Sequence, residues 1–216
     1  MVIAAIVCAV VIVFREMLLR SPRFIIRKVT VVGAQRYALA DFEPLCKGKS
    51  LLRVSPSALR KHIEKMDGIA SADVQRIFPY TLKIVLHERK ALGMIHKGGK
   101  YYLIDKEGAL FERTNRDSYP IILGDKNIPE AVTFLDILSQ KGFNVWKLRE
   151  VDCRKNKIVC TFTDTAGNTK IVNVGRYDYE IKSAALLELA AKVGSDDYYI
   201  DVRFTPYAIV RKGGGV

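Results

Sequence analysis

The stretch RIFPYTLKIVLHERKAL, residues 76–92, decides how the N-terminal part of this chain folds. Proline has no N–H to give a sheet ladder, so Pro79 belongs in a turn or at the first residue of a strand. Beyond it, Leu82, Ile84 and Leu86 alternate with Thr81, Lys83 and Val85 at the two-residue period of a strand. Before it, residues 72–77 (ADVQRI) read as a shorter strand. The stretch predicts a hairpin with a Phe78-Pro79 corner, its second arm finishing on His87-Glu88-Arg89.

Upstream, residues 24–32 (FIIRKVTVV) read as a strand stopped by Gly33, and residues 39–46 suit a short helix broken off by Gly48. A second helix has its start marked by Ser55 as N-cap and Pro56 at the first helical position. Leu59, Ile63 and Met66 fall at i, i+4 and i+7, the spacing of one buried face, and Asp67-Gly68 ends it. The predicted order is strand, helix, helix, strand, strand over residues 24–91, a plausible small domain.

Downstream, residues 92–212 are mostly β. Strands are predicted at 101–104, 109–111, 148–153, 158–163, 170–174, 198–204 and 207–211, with turns at 105–108, 154–157 and 165–168. Two helices interrupt them, at 129–142 and 179–193. Residues 213–216, beginning Gly-Gly-Gly, are expected to form a flexible tail. The fold class is α+β.

The first twenty residues differ in kind. Residues 2–14 (VIAAIVCAVVIVF) carry no charge and span about 20 Å as a helix, against a hydrocarbon core of about 30 Å. Continuing to Leu19 gives about 28 Å, with Arg15 and Glu16 reaching toward the interface. No basic stretch precedes the run and no small-x-small cleavage site precedes Arg15, which favours an uncleaved transmembrane anchor over residues 1–20 against a signal peptide. Arg15, Arg20, Arg23, Arg27 and Lys28 all follow the apolar run, so local charge alone would keep the bulk of the chain in the cytoplasm. A basic segment upstream would reverse that.

At 49% apolar and 27% charged, the composition is that of a folded protein. The formal charge of +12 invites a nucleic-acid reading. The basic residues are spread along the chain, with no Arg-rich helix and no RNP-like aromatic motif, so no nucleic-acid partner is expected. A membrane surface is the nearer anionic partner. His62, His87 and His96 each stand alone, and Cys8, Cys46, Cys153 and Cys160 show no Cys-x-x-Cys spacing. Cys153 and Cys160 can pair only in an oxidising compartment; two buried free thiols is the plainer reading. No nucleophile elbow, Walker loop or dinucleotide fingerprint occurs. Neither a metal, a cofactor nor a catalytic site is expected.

Anchor, βααββ domain and β-rich domain together resemble the bacterial FtsQ/DivIB cell-division family. The resemblance is carried by residues 24–33, by 49–54 (KSLLRV), by 74–84 (VQRIFPYTLKI) closing on Glu88-Arg89, by 102–105 with Gly108 and Phe111, by 120–124, and by 200–204 (IDVRF) with 208–211 (AIVR). The chain departs from that family in having no basic stretch before the apolar run and in carrying Pro206-Tyr207 at its last turn. The resemblance implies a POTRA domain followed by an FtsQ-type β domain, and a noncatalytic scaffold held by one transmembrane helix with its bulk outside the cytoplasmic membrane, at the septum. It implies FtsB/FtsL-like partners, bound by strand addition to the closing strand, and extends to FtsK-, FtsW- and FtsI-like proteins. Mapped onto this chain, the partner-binding candidates are Arg203, Phe204, Tyr207, Ile209 and Arg211. Arg203 is read as an interface residue, whereas Phe204 and Ile209 suit a core equally well. Phe78, Pro79, Glu88 and Arg89 are read as structural, shaping the hairpin and the domain junction. The rival reading is an anchored basic protein that binds anionic envelope polymer, lipid or nucleic acid by charge alone.

Overall fold

A computed structural model of the 216-residue chain describes residues 2–114 and 119–213. They fall into two compact units, residues 1–89 and 90–216.

In the first unit, helix α1 (Val2–Arg20) is followed by β1 (Lys28–Val32), α2 (Leu39–Cys46), α3 (Pro56–Ile63), β2 (Ile69–Ile77) and β3 (Thr81–Glu88). The βααββ order read from the sequence is present. The strand order is β1-β3-β2, with β1 parallel and β2 antiparallel to β3. The central place of β3 explains its alternation: Leu82, Ile84 and Leu86 are buried against Phe42, Cys46, Leu59 and Ile63 of the two helices. Ser55 caps α3 by accepting from the Ala58 N–H (3.3 Å), and Pro56 stands at its first turn. Gly33, at φ +84°, lets β1 end against β3: a Cβ there would lie 2.2 Å from the Leu86 carbonyl oxygen.

The first strand is shorter than expected. Residues 24–26 leave the sheet and pair instead with residues 48–51, through Leu51 N–H to Phe24 O (2.6 Å), Ile26 N–H to Lys49 O (2.9 Å) and Gly48 N–H to Ile26 O (3.1 Å). These bonds satisfy the backbone before the sheet begins, so β1 starts only at Lys28. The hairpin turns where Pro79 predicted, on a cis Phe78-Pro79 bond. At its other end Glu88 accepts from the N–H groups of Gln35 (2.8 Å) and Arg36 (3.0 Å), tying the β1–α2 connection to β3.

The α1 helix forms over the expected residues, and its side chains stay outside the core, with Ile3, Val10 and Phe14 exposed. Among the described residues no helix is long and apolar enough to cross a membrane.

The second unit is one nine-stranded sheet. Its strands are β4 (Gly93–Lys97), β5 (Lys100–Ile104), β6 (Leu110–Thr114), β7 (Ile121–Leu123), β8 (Lys147–Asp152), β9 (Ile158–Thr163), β10 (Thr169–Gly175), β11 (Tyr198–Asp201) and β12 (Ile209–Lys212). They lie in the order β12-β11-β10-β9-β8-β7-β4-β5-β6. The β10–β11, β4–β7 and β7–β8 pairs are parallel and the others antiparallel. Two helices, α4 (Ile128–Gln140) and α5 (Tyr179–Ala190), contribute Phe134, Leu135, Leu138 and Leu186 to a core shared with Val151, Phe162, Val172 and Ile200.

Strands β4 and β7 escaped the sequence reading. β7 has only three residues, too few to show a period, and is held by a parallel neighbour on each side. The predicted strand 198–204 ends at Asp201, and the chain then turns. Cys153 and Cys160 are buried free thiols, and burial pushes both pKa values up. Of the expected tail, residues 214–216 lie outside the described residues.

Candidate partner-binding edge

Strand β12 is the end strand of the sheet, and among the described residues nothing pairs with its outer side. Its inner side pairs with β11 in the register Tyr199↔Arg211, Ile200↔Val210 and Asp201↔Ile209. Just past the strand, Gly213 N–H donates to Asp197 O (3.0 Å). Bonded and non-bonded pairs alternate along an antiparallel ladder. Ile209, Arg211 and Gly213 therefore turn their N–H and C=O toward β11, and Val210 and Lys212 turn theirs to the open edge.

All four β12 residues are exposed. This differs from an ordinary edge strand, which keeps one face on the core. Ile209 and Val210 are 46% and 39% exposed, and Phe204 and Tyr207 in the preceding turn are 60% and 79% exposed. The reading of Phe204 and Ile209 as core residues does not hold. Together with Tyr177 (66%) and Ile181 (58%) around the start of α5, they give this end of the sheet an unusual share of uncovered apolar side chains.

The turn itself is firmly built. Asp201 is buried, and its carboxylate accepts from Arg203 Nε (3.0 Å) and Nη2 (2.7 Å) and from the Arg203 backbone N–H (3.0 Å). Burial pushes the Asp201 carboxyl up, and the fork with Arg203 overcomes it, leaving the pKa below the ordinary value. The guanidinium also lies 5.1 Å from the centre of the Phe204 ring. Arg203 is thus held in place from within, with 43% of its side chain still accessible. Gly175, at φ +71° at the end of β10, makes room for it: a Cβ there would sit 2.7 Å from Arg203 Cγ. The turn closes with Tyr207 N–H to Phe204 O (3.0 Å), and Arg211 is exposed on the strand beyond.

Sequence reasoning missed Tyr177, Ile181, Val210 and the buried Lys182. Lys182 donates to the Arg176 carbonyl (2.6 Å); desolvation lowers its pKa against the pull of Asp178 and Asp201. Of the four residues read as structural, Glu88 bonds as described above and Arg89 N–H donates to Gly68 O (2.8 Å), both within the first unit. Phe78 and Pro79 stand exposed at the hairpin tip. Among the described residues, no group of three or more His, Cys, Asp and Glu side chains is placed to hold a metal ion.

Comparison with known proteins agrees with this architecture. The profile of the FtsQ-type POTRA domain matches residues 24–89. Cell division protein FtsQ of Syntrophotalea carbinolica is 28% identical over 227 residues, covering 93% of this chain and 78% of the relative. FtsQ of a Geobacter species is 28% identical, covering 76% of the chain and 66% of the relative. Cell division protein DivIB of Clostridium acetobutylicum is 27% identical over 97 residues, covering 44% and 39%.

Proposed function

Because the chain belongs to the FtsQ/DivIB family of cell division proteins, we propose that it is a noncatalytic divisome scaffold that captures an FtsB/FtsL-like partner by strand addition on the outer side of β12. The observation that carries this reading is the combination at β12: outward N–H and C=O groups of Val210 and Lys212, and apolar side chains uncovered on both sides of the strand. Main-chain bonds supply affinity in strand addition, and side chains at alternating positions supply selectivity. Phe204, Tyr207 and Ile209 are the apolar anchors, and Arg211 offers a charge to a partner carboxylate. Arg203 serves chiefly by fixing the turn that presents Phe204.

The same reading places α1 in the cytoplasmic membrane as a single anchor, with both folded units on the extracytoplasmic side at the septum. Its support is the exposed apolar surface of α1. Contacts with FtsK-, FtsW- and FtsI-like proteins belong to the same proposal, through parts of the scaffold other than β12.

The test is Val210→Pro. It deletes one outward donor and leaves the β11 ladder whole, a position where an edge strand tolerates proline. Binding of the FtsB–FtsL extracytoplasmic pair should fall at least about tenfold, as expected for one lost main-chain bond plus a misfit strand, and should survive raised salt. Unchanged binding by the proline variant would remove strand addition at β12. Binding abolished by salt alone would favour charge-driven capture of an anionic envelope polymer.

A further inference from the structure

The tip of the β2–β3 hairpin is apolar and uncovered: Ile77, Phe78 and Tyr80 are 46%, 57% and 42% exposed. Solvent would normally select polar turn residues there. Among the described residues these three side chains stand outside the core cluster of the unit, and Phe78 makes an edge-on contact with Phe24, centroids 6.2 Å apart. That contact fixes where the tip is. Phe24 closes the short helical turn Pro22–Phe24 that directly follows α1, so the tip lies beside the C-terminal end of α1. The Tyr80 carbonyl accepts from Arg27 N–H (3.0 Å), holding the tip to the same segment.

Around this apolar point stand exposed cations. Arg23, Arg27 and Lys28 lie on the adjoining segment, and Arg76 on the hairpin itself donates to the Val54 carbonyl (2.6 Å). Arg53, next to Val54, pairs with Glu16 of α1 (3.2 Å), which brings a further charge to the level of the last turns of α1. Aromatic and aliphatic side chains ringed by Lys and Arg, at the end of an apolar helix, match the composition of a membrane–water interface.

We propose that the Phe78-Pro79 hairpin tip is a second membrane contact, its Ile77, Phe78 and Tyr80 side chains seated among the headgroups of anionic phospholipid beside α1. This rests on the reading of α1 as the membrane anchor. Its consequence is orientational: a helix alone leaves the POTRA unit free to swing, whereas a helix plus a hairpin tip fixes its angle to the bilayer. The opposite end of the hairpin, with Gln35 bonded to Glu88, is then held about 26 Å away along the eight residues of β3.

The experiment uses the full chain reconstituted in vesicles of phosphatidylcholine and phosphatidylglycerol at about 3:1. A benzophenone side chain replaces Phe78, Val10 or Gln35 in three separate samples, which are irradiated and weighed intact. Phospholipid adducts are expected at positions 78 and 10, with at least tenfold less at position 35. Adduct at 10 but only the position-35 background at 78 would overturn the hairpin contact and leave the anchor standing. Adduct at 78 and none at 10 would remove the anchor, and would overturn the proposal of a second contact beside it even though the tip meets lipid. Absence at both would remove both. In membranes isolated from cells, a polypeptide-sized adduct at 78 with no lipid adduct would reassign the tip to a protein partner and overturn the proposal.

Discussion

Lys170 and Asp164 carry the strongest single-residue constraint in the second unit. The Lys170 side chain is fully buried and its ammonium meets the Asp164 carboxylate at 2.8 Å; it also donates to the Asp196 carbonyl and lies near the rings of Trp146 and Tyr198. Asp164 in turn accepts from the Asn168 N–H (2.9 Å) and closes the β9–β10 turn. The Lys170 ammonium, first among these partners, holds the Asp164 carboxyl well below the ordinary carboxylate range. A depressed folded-state pKa stabilises above the unfolded value of about 3.9 and loses that contribution as pH falls through the window beneath it. Urea midpoints should therefore drop below about pH 4. Asp164→Asn should be less stable at pH 7, because it strands a buried ammonium, and should show a shallower fall between pH 4 and pH 2 than the parent protein. Equal acid slopes in the two proteins would show that this pair does not govern the acid limb. Such a pair is invisible in sequence, which shows only a turn at 165–168 with a strand on either side of it. The same holds for the fork between Asp201 and Arg203: the family resemblance offered Arg203 as an interface residue, and the buried Asp201 carboxylate is what holds its guanidinium in place.

Strand β12 makes an element-scale prediction that side chains do not enter. Its residues alternate between inward and outward backbone groups, so amide exchange in the partner-free protein should alternate too. Val210 and Lys212 should exchange quickly, and Arg211 and Gly213 more slowly, as their N–H groups face β11. Addition of a partner strand should slow Val210 and Lys212 selectively; slowing confined to side-chain-adjacent loops would point to a partner that covers β12 without pairing with it. The elements most legible in sequence were those with a long period and a marked end. The β3 arm, the Pro79 turn, α2 and the start of α3 fell where alternation, Ser55, Pro56 and Pro79 put them, and β9 matched residue for residue; α3 ends at Ile63, short of the expected stop at Asp67-Gly68, and β2 begins at Ile69, ahead of the expected residue 72. The elements that failed depended on partners far along the chain. Residues 24–26 look like strand and pair instead with residues 48–51. β7 is a strand only because β4 and β8 flank it. The predicted strand 198–204 ends at Asp201, where Arg203 bonds back onto the Asp201 carboxylate.

At the scale of the whole molecule, the two units keep separate cores. The core of the first unit is drawn from residues 26–86, around Phe42, Ile63, Leu82 and Ile84. The larger core of the second unit is drawn from residues 95–202, around Phe134, Phe162, Val172 and Ile200. The chain contains one tryptophan, and Trp146 belongs to the second core, where its ring meets those of Phe143 and Phe162, each 6.0 Å away. Its fluorescence therefore reports the second unit alone, whereas far-ultraviolet circular dichroism reports both. Phe42 is fully buried, and Phe42→Ala should cost the first unit about 3–5 kcal/mol in transfer and cavity energy. Against a typical domain stability of about 5–15 kcal/mol, that is enough to bring its unfolding to low denaturant. In the variant, the dichroism signal should show an early phase while the Trp146 transition keeps its midpoint. If both probes move together, the cores melt as one cooperative unit, and damage to the POTRA unit would reach the β12 edge through folding. If only the early phase appears, the β12 edge stays intact while the first unit is lost. The two halves of the proposed scaffold could then be impaired separately by mutation, Phe42 for the unit nearest α1 and Val210 for partner capture.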